Sequence, residues 1–505
     1  MAAPPIEVRA RRGQPLGMPP ARFLRDYWQK RPLLIRRAFP DFTPPLTPDD
    51  LAGLACMDGA LARIVLRGDG KTKSLGSGFR AARDPGMTTK GNASFPRKRD
   101  GKGRACPGLD PGIANANAEG GPKGERQGRR ESIHLALPPK EKMDSRFRGN
   151  DVKRKGTPTS TNDVKWKVLT GPFNDATFAK LPDHDWTLLV QDVDKWDAAT
   201  AALLDHFDFI PSWRIDDVMV SYAAEGGGVG AHVDQYDVFL LQGVGKRRWA
   251  IDTRQNPPIA FRDDVELKLL HTFHPTHEWV LEPGDMLYLP PGVPHDGVAI
   301  GECTTFSIGM RAPAAGELLF DFAAHVAESL PESQRFADPD LTPATVAGEI
   351  DDAAFTRVVR AMPWVRFGGE GKKQEHAGGF PGFARKVPAS MLRTWFGCFI
   401  TRYRAAQVPV PRKHPIDHAT LADRLPRATL ERDPWSRFAW CRNGRNATLF
   451  VAGSAFDAPV AWARELASGA RTFDGARLSR LSQPARGIEL LAKLTNAGHV
   501  RFRRR

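Results

Sequence analysis

From Trp186 to Met310 the chain repeats one pattern: a short apolar or alternating run, then a turn rich in Gly, Pro or Asp. The runs are Trp186-Thr187-Leu188-Leu189-Val190, Val218-Met219-Val220-Ser221-Tyr222, Val238-Phe239-Leu240-Leu241, Arg248-Trp249-Ala250-Ile251, Met286-Leu287-Tyr288-Leu289 and Thr304 to Met310. Segments of this length, rich in β-branched and aromatic residues and bounded by turn formers, specify strands rather than helices. Many short strands with so little between them close into a sandwich or a barrel of jelly-roll type. The feature therefore predicts a mainly β fold for this part of the chain, with helices elsewhere.

Chemistry-bearing residues fall inside this region. His232-Val233-Asp234 follows the glycine run Gly226-Gly227-Gly228-Val229-Gly230, where missing side chains let backbone approach a site closely. A strand places residues i and i+2 on one face, so His232 and Asp234 are expected to point together into the barrel. A third donor, His295, ends the rigid run Pro290-Pro291-Gly292-Val293-Pro294, beyond the turn Glu282-Pro283-Gly284-Asp285. Two imidazoles and one carboxylate on one face of a metal, with the opposite positions open, is the ligand set of non-haem Fe(II) oxygenases. His271, His274 and His277 fall in an expected loop and read as surface or supporting residues.

The remainder of the 505 residues divides by texture. Residues 21–69 read as folded sequence: Phe23, Leu24, Tyr27 and Trp28 recur at helical spacing, Arg31-Pro32 stops the helix, and Leu33 to Ile35 and Leu61 to Leu66 read as strands. Residues 71–163 lack any period and carry 21 Lys and Arg against 10 Asp and Glu, a net +11 of the chain's +15. Such a stretch buries too little apolar surface to offset its ordering entropy, so it reads as a disordered basic insert in a surface loop between two strands. A solvated, tolerated loop is favoured there over a basic arm that contacts RNA phosphates. Strand texture resumes at Trp166-Lys167-Val168-Leu169. Beyond Arg311 the chain turns helical, at Gly316 to Ala324, with Leu318, Leu319, Phe322 and Val326 at apolar-face spacing, and again near Asp352 to Met362. Gly368 to Pro381 reads as a loop. The tail gives strands at Arg437 to Trp440 and Ala447 to Val451, a helix at Ile488 to Leu494 and a strand at His499 to Phe502, the order of a winged-helix-type module. Five scattered cysteines without a Cys-x-x-Cys pair argue against a disulfide framework or a structural zinc. With no apolar run of spanning length and no secretory leader, a cytoplasmic protein with no membrane contact is expected.

The stretch Gly226 to Phe239, with Gln242-Gly243-Val244-Gly245-Lys246-Arg247-Arg248-Trp249 after it, resembles the bacterial ribosomal oxygenases, JmjC-type cupins that hydroxylate a ribosomal protein. The resemblance extends to Tyr27 to Ile35, Trp166 to Phe173, Asp192-Val193-Asp194, Asp338 to Leu341 and Trp395-Phe396-Gly397, and the basic insert is its main departure. It implies a double-stranded β-helix catalytic domain over residues 1–312, interrupted by the insert. A helical dimerisation region over 313–395 and a winged-helix-like domain over 396–505 follow. It further implies Fe(II) held by His232, Asp234 and His295, with 2-oxoglutarate and O2 as co-substrates. Arg247 is implied as the partner of the distal carboxylate of 2-oxoglutarate, Ser307 as a further polar contact in that pocket, and Lys246 and Arg248 as solvated. The implied substrate is an arginine of large-subunit ribosomal protein L16, and the implied assembly is a homodimer.

Other readings stay open at this point. A related enzyme could hydroxylate a histidine of another ribosomal protein, and a metal-binding cupin without oxygenase activity would share the fold. An RNA-binding protein using the insert and the tail is a third class, although the tail shows no base-reading pattern. Lysine demethylation is disfavoured because nothing suggests a methyl-lysine cage.

Overall fold

In the computed structural model, which describes residues 6–11, 14–68, 164–328, 330–333, 335–342, 352–361, 389–402 and 408–503, the alternating runs pair into two facing sheets. In chain order the first part comprises β1 (Glu7–Arg9), α1 (Pro20–Asp26), β2 (Leu33–Arg36), α2 (Pro48–Ala55), β3 (Ala62–Gly68), β4 (Lys165–Thr170), α3 (Asp175–Phe178), β5 (Trp186–Val190), α4 (Val193–Trp196), α5 (Ala198–Ala202) and β6 (Ile215–Ala223). It continues with β7 (His232–Val233), β8 (Val238–Gln242), β9 (Lys246–Ile251), β10 (His277–Leu281), β11 (Met286–Leu289), β12 (Pro294–Ile300) and β13 (Cys303–Met310). The larger sheet has nine strands in the order β1-β2-β11-β8-β13-β6-β5-β3-β4, and the smaller has four, β10-β9-β12-β7. This is the jelly roll expected from the strand pattern.

The alternation decides which side chain goes where. On β9, Arg247, Trp249 and Ile251 are buried, whereas Lys246 and Arg248 lie outside, on Glu282 (2.7 Å) and Glu278 (2.9 Å). Trp249 and Ile251 join Val238, Leu240, Leu281, Leu287 and Leu289 in the core between the sheets. The opposite face of the large sheet, with Phe239, Leu241, Phe306 and Ile308, packs on α1 and α2 through Phe23, Tyr27, Leu51 and Leu54. α2 is fixed at its start by a capping box, Thr47 accepting from the Asp50 amide while Asp50 accepts from the Thr47 amide. Behind α1, buried Asp237 accepts from the Tyr288 hydroxyl (2.7 Å) and the Gln29 side-chain amide (2.9 Å), tying the first forty residues to the strands beside the site.

β3 and β4 are antiparallel neighbours, with Gly68 opposite Lys165. The segment predicted as a basic insert, 71–163, lies outside the described residues, and its flanks leave and rejoin the sheet at one point. The expected loop at 368–381 also lies outside them.

After the jelly roll come α6 (Ala315–Glu328), α7 (Asp352–Ala361) and α8 (Ala389–Thr401). Phe322 and Val326 of α6 pack on Trp395, Phe399 and Ile400 of α8, and the Trp395 indole donates to Asp321 (2.9 Å). Of the apolar face expected on α6, Leu318, Phe322 and Val326 face this cluster, but Leu319 points outward, 43% exposed beside Phe320 at 80%. The chain closes with α9 (His418–Arg424), β14 (Thr429–Arg432), a meander of β15 (Phe438–Asn443), β16 (Asn446–Val451) and β17 (Ser454–Ala458), α10 (Val460–Leu466), β18 (Thr472–Asp474), α11 (Gly475–Ser479), α12 (Pro484–Asn496) and β19 (Val500–Phe502). Its core centres on Leu421, Leu449, Trp462 and Leu491. Arg437 grips the Asp216 carboxylate and Arg471 the Asp205 carboxylate (2.7 Å), while Trp435 meets Trp196 edge-on, so this module is keyed to the jelly roll beside β6. Among the described residues, no helix is long and apolar enough to cross a membrane.

Candidate metal centre

β7 pairs with β12 so that His232 stands directly opposite His295. The strand ends at Val233, so Asp234 is placed one residue beyond it rather than by the pleat of a continuing strand, as the i, i+2 expectation had it. What fixes Asp234 is its carbonyl, which accepts from the Gly292 amide (2.8 Å) in the proline-framed turn before His295. The two imidazole rings lie 4.2 Å apart between centroids. The Asp234 carboxylate is 3.6 Å from His295 Nε2 and 4.0 Å from His232 Nε2. These are the only three among the described residues grouped closely enough, with donor atoms within 4.8 Å of one another, to hold a metal ion together.

Both tautomers are set by backbone. His232 Nδ1 lies 2.8 Å from the Gly230 carbonyl and His295 Nδ1 lies 2.9 Å from the Val293 carbonyl. Each Nδ1 can only donate there, which leaves each Nε2 lone pair directed at the centre, the outer-shell arrangement metal-binding histidines use. Burial, and then the neighbouring His232, push His295 down to about 4, so it stays the neutral imidazole that a metal requires. The chemistry of this donor set fits a divalent first-row metal with one face left open.

The glycine run positions the ligands by proximity. A methyl group on Gly228 would stand 2.6 Å from the Gly297 carbonyl oxygen of β12, and one on Gly297 would stand 2.7 Å from the Trp249 ring. The Trp249 indole thus lies flat across the inner face of β12, 5.9 Å from the His295 ring.

Arg247 is deeper in the same row. It pairs with Ala299, while Ile251 pairs with His295, so Arg247, Trp249 and Ile251 run inward beneath the metal ligands. The Arg247 side chain is 5% exposed and lies 5.7 Å from the Trp249 ring centroid. Its Nε and Nη2, and Trp249 Nε1, are buried with no hydrogen-bond partner. Three orphan donors on neighbouring residues of one strand face, two of them on a guanidinium, leave a deficit that an anion would fill beside the metal ligands. A carboxylate reaching down from the metal fits it. Ser307 also faces the space between the sheets, being paired with Leu240 on β8, but no hydrogen bond of its hydroxyl marks a role in the site. Of the distal histidines, His277 begins β10 rather than lying in a loop, with Nδ1 against Thr276, and belongs to the supporting strand.

Comparison with known proteins places this geometry. A JmjC-domain family model matches residues 202–318, and a ROXA-like winged-helix model matches residues 388–501. The ribosomal protein uL16 3-hydroxylase of Escherichia coli (strain K12) is 30% identical over 325 residues, 64% of this chain and 60% of that protein. The chain carries a JmjC domain followed by a ROXA-like winged helix and resembles ribosomal oxygenases. A probable ribosomal oxygenase of Haemophilus influenzae is 29% identical over 301 residues, 59% of this chain and 51% of that protein, so the chain spans between half and two thirds of the length of these curated relatives. The X-ray structure of E. coli ycfD superposes with a TM-score of 0.64 at 26% identity, covering 97% of this chain and 99% of that one. YcfD has also been solved with cobalt and 2-oxoglutarate, and that structure superposes with a TM-score of 0.61 at 25% identity and the same coverage.

Two residues of this site escaped sequence reasoning. Trp249 was read only as a strand residue, although its place two residues after Arg247 puts it on the same face. Tyr236, two residues after Asp234, is partly exposed, and desolvation together with the neighbouring Asp234 carboxylate raises its pKa. It keeps its proton and supports a ligand from outside.

Proposed function

We propose that the chain is an Fe(II)- and 2-oxoglutarate-dependent protein hydroxylase that acts on a side chain of a ribosomal protein, an arginine of L16. The observation that carries the reading is the pairing of the open three-ligand face with the buried, unpartnered donors of Arg247 and Trp249 on β9, the strand beside His295. His232, Asp234 and His295 would hold the iron on one side. Arg247 would take the distal carboxylate of 2-oxoglutarate bidentately, in a pocket dry enough for that contact to be strong. Trp249 closes the floor between them and excludes water, and Ser307 faces the same space. Bound there, iron and 2-oxoglutarate supply oxidative decarboxylation coupled to insertion of one oxygen atom from O2 into a carbon–hydrogen bond. Tyr236 holds its proton against Asp234 and keeps that carboxylate oriented.

The same reading divides the chain into a catalytic domain over 1–312, a helical region over 313–395 and a winged-helix domain over 396–505. It places the protein in the cytoplasm with its ribosomal substrate. The outward Leu319 and Phe320 of α6 support a homodimer through the helical region. The test is incubation with iron, 2-oxoglutarate and a fragment of uL16. Succinate release with a mass gain of one oxygen on an arginine is expected. Absence of both, or oxygen on a histidine of another ribosomal protein instead, would overturn the assignment.

A further inference from the structure

Charge is divided unevenly along the chain. Residues 408–503, the C-terminal module, carry 16 Lys and Arg against 8 Asp and Glu, a net +8. With this module and the +11 of residues 71–163 set aside, the rest of the chain comes to −4. Fourteen of the module's sixteen cations are arginine, whose planar fork grips phosphate oxygens bidentately where lysine offers a point charge.

Seven of the module's eight acids are already in use. Asp457 holds Arg486, Glu465 holds Arg477 (2.8 Å), Glu489 holds Lys493 (2.8 Å) and Glu431 holds Arg501 (3.6 Å). Asp417 and Asp474 accept from first-turn amides of α9 and α11, and buried Asp433 accepts from the Trp435 amide. The β15–β16 hairpin closes at the Asn443–Asn446 pair, with Gly444 at φ +59°. Arg442 and Arg445 are exposed at its tip, and neither has a partner among the described residues.

Neighbouring cations extend the tip into a row. Arg486, in the first turn of α12, donates to the Asn446 side chain (3.1 Å). Lys493 follows seven residues later, two turns along the same exposed face. At the far end the Arg412 amide donates to the Asn496 carbonyl (2.9 Å), which places exposed Lys413 there. α12 has 13 residues, so the row is about 20 Å long at about 1.5 Å per residue. That length covers about six phosphates along one strand at about 3.4 Å spacing. A free phosphate would meet one end of the row, and an acidic peptide would need a long run of consecutive acids to match it. A nucleic-acid strand supplies charge along its whole length.

We propose that this row, from the β15–β16 tip along α12, is an interaction surface for RNA that grips the phosphate backbone without reading bases. The proposal goes beyond the oxygenase reading and does not depend on it. Phosphate contacts fix a protein's position on nucleic acid and carry no sequence information, in keeping with a module that shows no base-reading pattern.

The test uses the full-length chain and a labelled single-stranded RNA of mixed sequence, read by fluorescence anisotropy across a salt series. Arg442→Glu with Arg445→Glu reverses the hairpin tip. Arg63→Glu with Lys180→Glu, at exposed positions of the jelly roll, makes the same change in net charge elsewhere. Residues 71–163 are present in every protein compared, so their own attraction for RNA cancels. The tip variant should bind RNA at least about tenfold more weakly, with a salt slope shallower by about 1.4, since each phosphate contact to a single strand contributes about 0.7. Arg442→Gln with Arg445→Gln, which adds no repulsion, should show the same change of slope. The jelly-roll variant should stay within about threefold of wild type with its slope unchanged. Equal weakening in the tip and jelly-roll variants would reduce the effect to overall charge and overturn the proposal, as would RNA affinity that the tip does not alter. A glutamate-rich peptide that binds as tightly as RNA, and is lost in the tip variant, would assign the surface to an acidic protein and overturn it too. Hydroxylation of a uL16 fragment is read separately and should not change in the tip variant; its absence in wild type would sink the oxygenase reading and leave RNA binding standing.

Discussion

Replacing Arg247 with methionine should move stability and co-substrate affinity in opposite directions. Two nitrogens of Arg247 are buried with no partner within the fold, and each such group costs about 1–3 kcal/mol of desolvation. Methionine fills a similar volume and has no donors to desolvate. Against that gain stands the loss of the guanidinium contact with the Trp249 ring, 5.7 Å away, about 0.5–2 kcal/mol. The net expectation is an unliganded variant that is more stable by roughly 1–3 kcal/mol, as replacement of a buried charge by a packed apolar side chain often is. With 2-oxoglutarate the sign reverses. Two charge-assisted hydrogen bonds at about 1.5–3 kcal/mol each come to roughly 3–6 kcal/mol, or about a hundred- to ten-thousandfold in affinity. Urea unfolding of the unliganded proteins and 2-oxoglutarate titration of the metal-loaded ones measure the two halves independently. A variant that is destabilised by more than about 2 kcal/mol, and binds 2-oxoglutarate as wild type does, would refute the reasoning, because Arg247 would then be paired within the fold rather than reserved for a carboxylate.

Other expectations follow from single contacts. Tyr236→Phe removes the hydroxyl beside Asp234 and should weaken metal affinity by about 10- to 100-fold without unfolding the protein, read by metal titration. Gly297→Ala drives a methyl group to 2.7 Å from the Trp249 ring and should cost about 1–3 kcal/mol in urea unfolding, with loss of 2-oxoglutarate binding as the indole shifts. Asp217, buried on β6 with Asp192, Asp194 and Asp216 around it, should impose a pH dependence on stability. Its folded pKa, about 7, lies above the ordinary 3.8, so between those values the folded state holds a proton that the unfolded state has released, and stability falls as pH rises through that window. Asp217→Asn lacks that slope and should gain stability relative to wild type between about pH 5 and pH 7; parallel profiles would count against the raised carboxyl.

The strands and the ligands were legible in the sequence for the same reason: short apolar runs with turn residues between them permit few pairings, and the pairings that form bring His232 opposite His295. The tail was legible too, with Ala447 to Val451 and Ile488 to Leu494 lying within β16 and α12. What the sequence did not show was dictated by neighbours distant in the chain. Asp234 owes its position to the Gly292 amide rather than to strand pleat, and Leu319 faces outward because α8, about seventy residues later, covers only the Leu318, Phe322 and Val326 side of α6. Asp217 is directed inward by a bulge against Gly309, a register shift that no local pattern encodes. Arg247 was placed by resemblance alone. Its burial and its orphan nitrogens, the physical reasons for assigning it a carboxylate, exist only once β9 has paired with β12.

The central claim is that the His232, Asp234 and His295 site hydroxylates a ribosomal protein, and intact-mass spectrometry of ribosomal proteins from cells tests it most directly. Cells carrying the wild-type gene should show uL16 heavier by one oxygen on an arginine, and cells carrying His232→Ala with Asp234→Ala should show it unmodified. Identical ribosomal protein masses in the two strains would contradict the account.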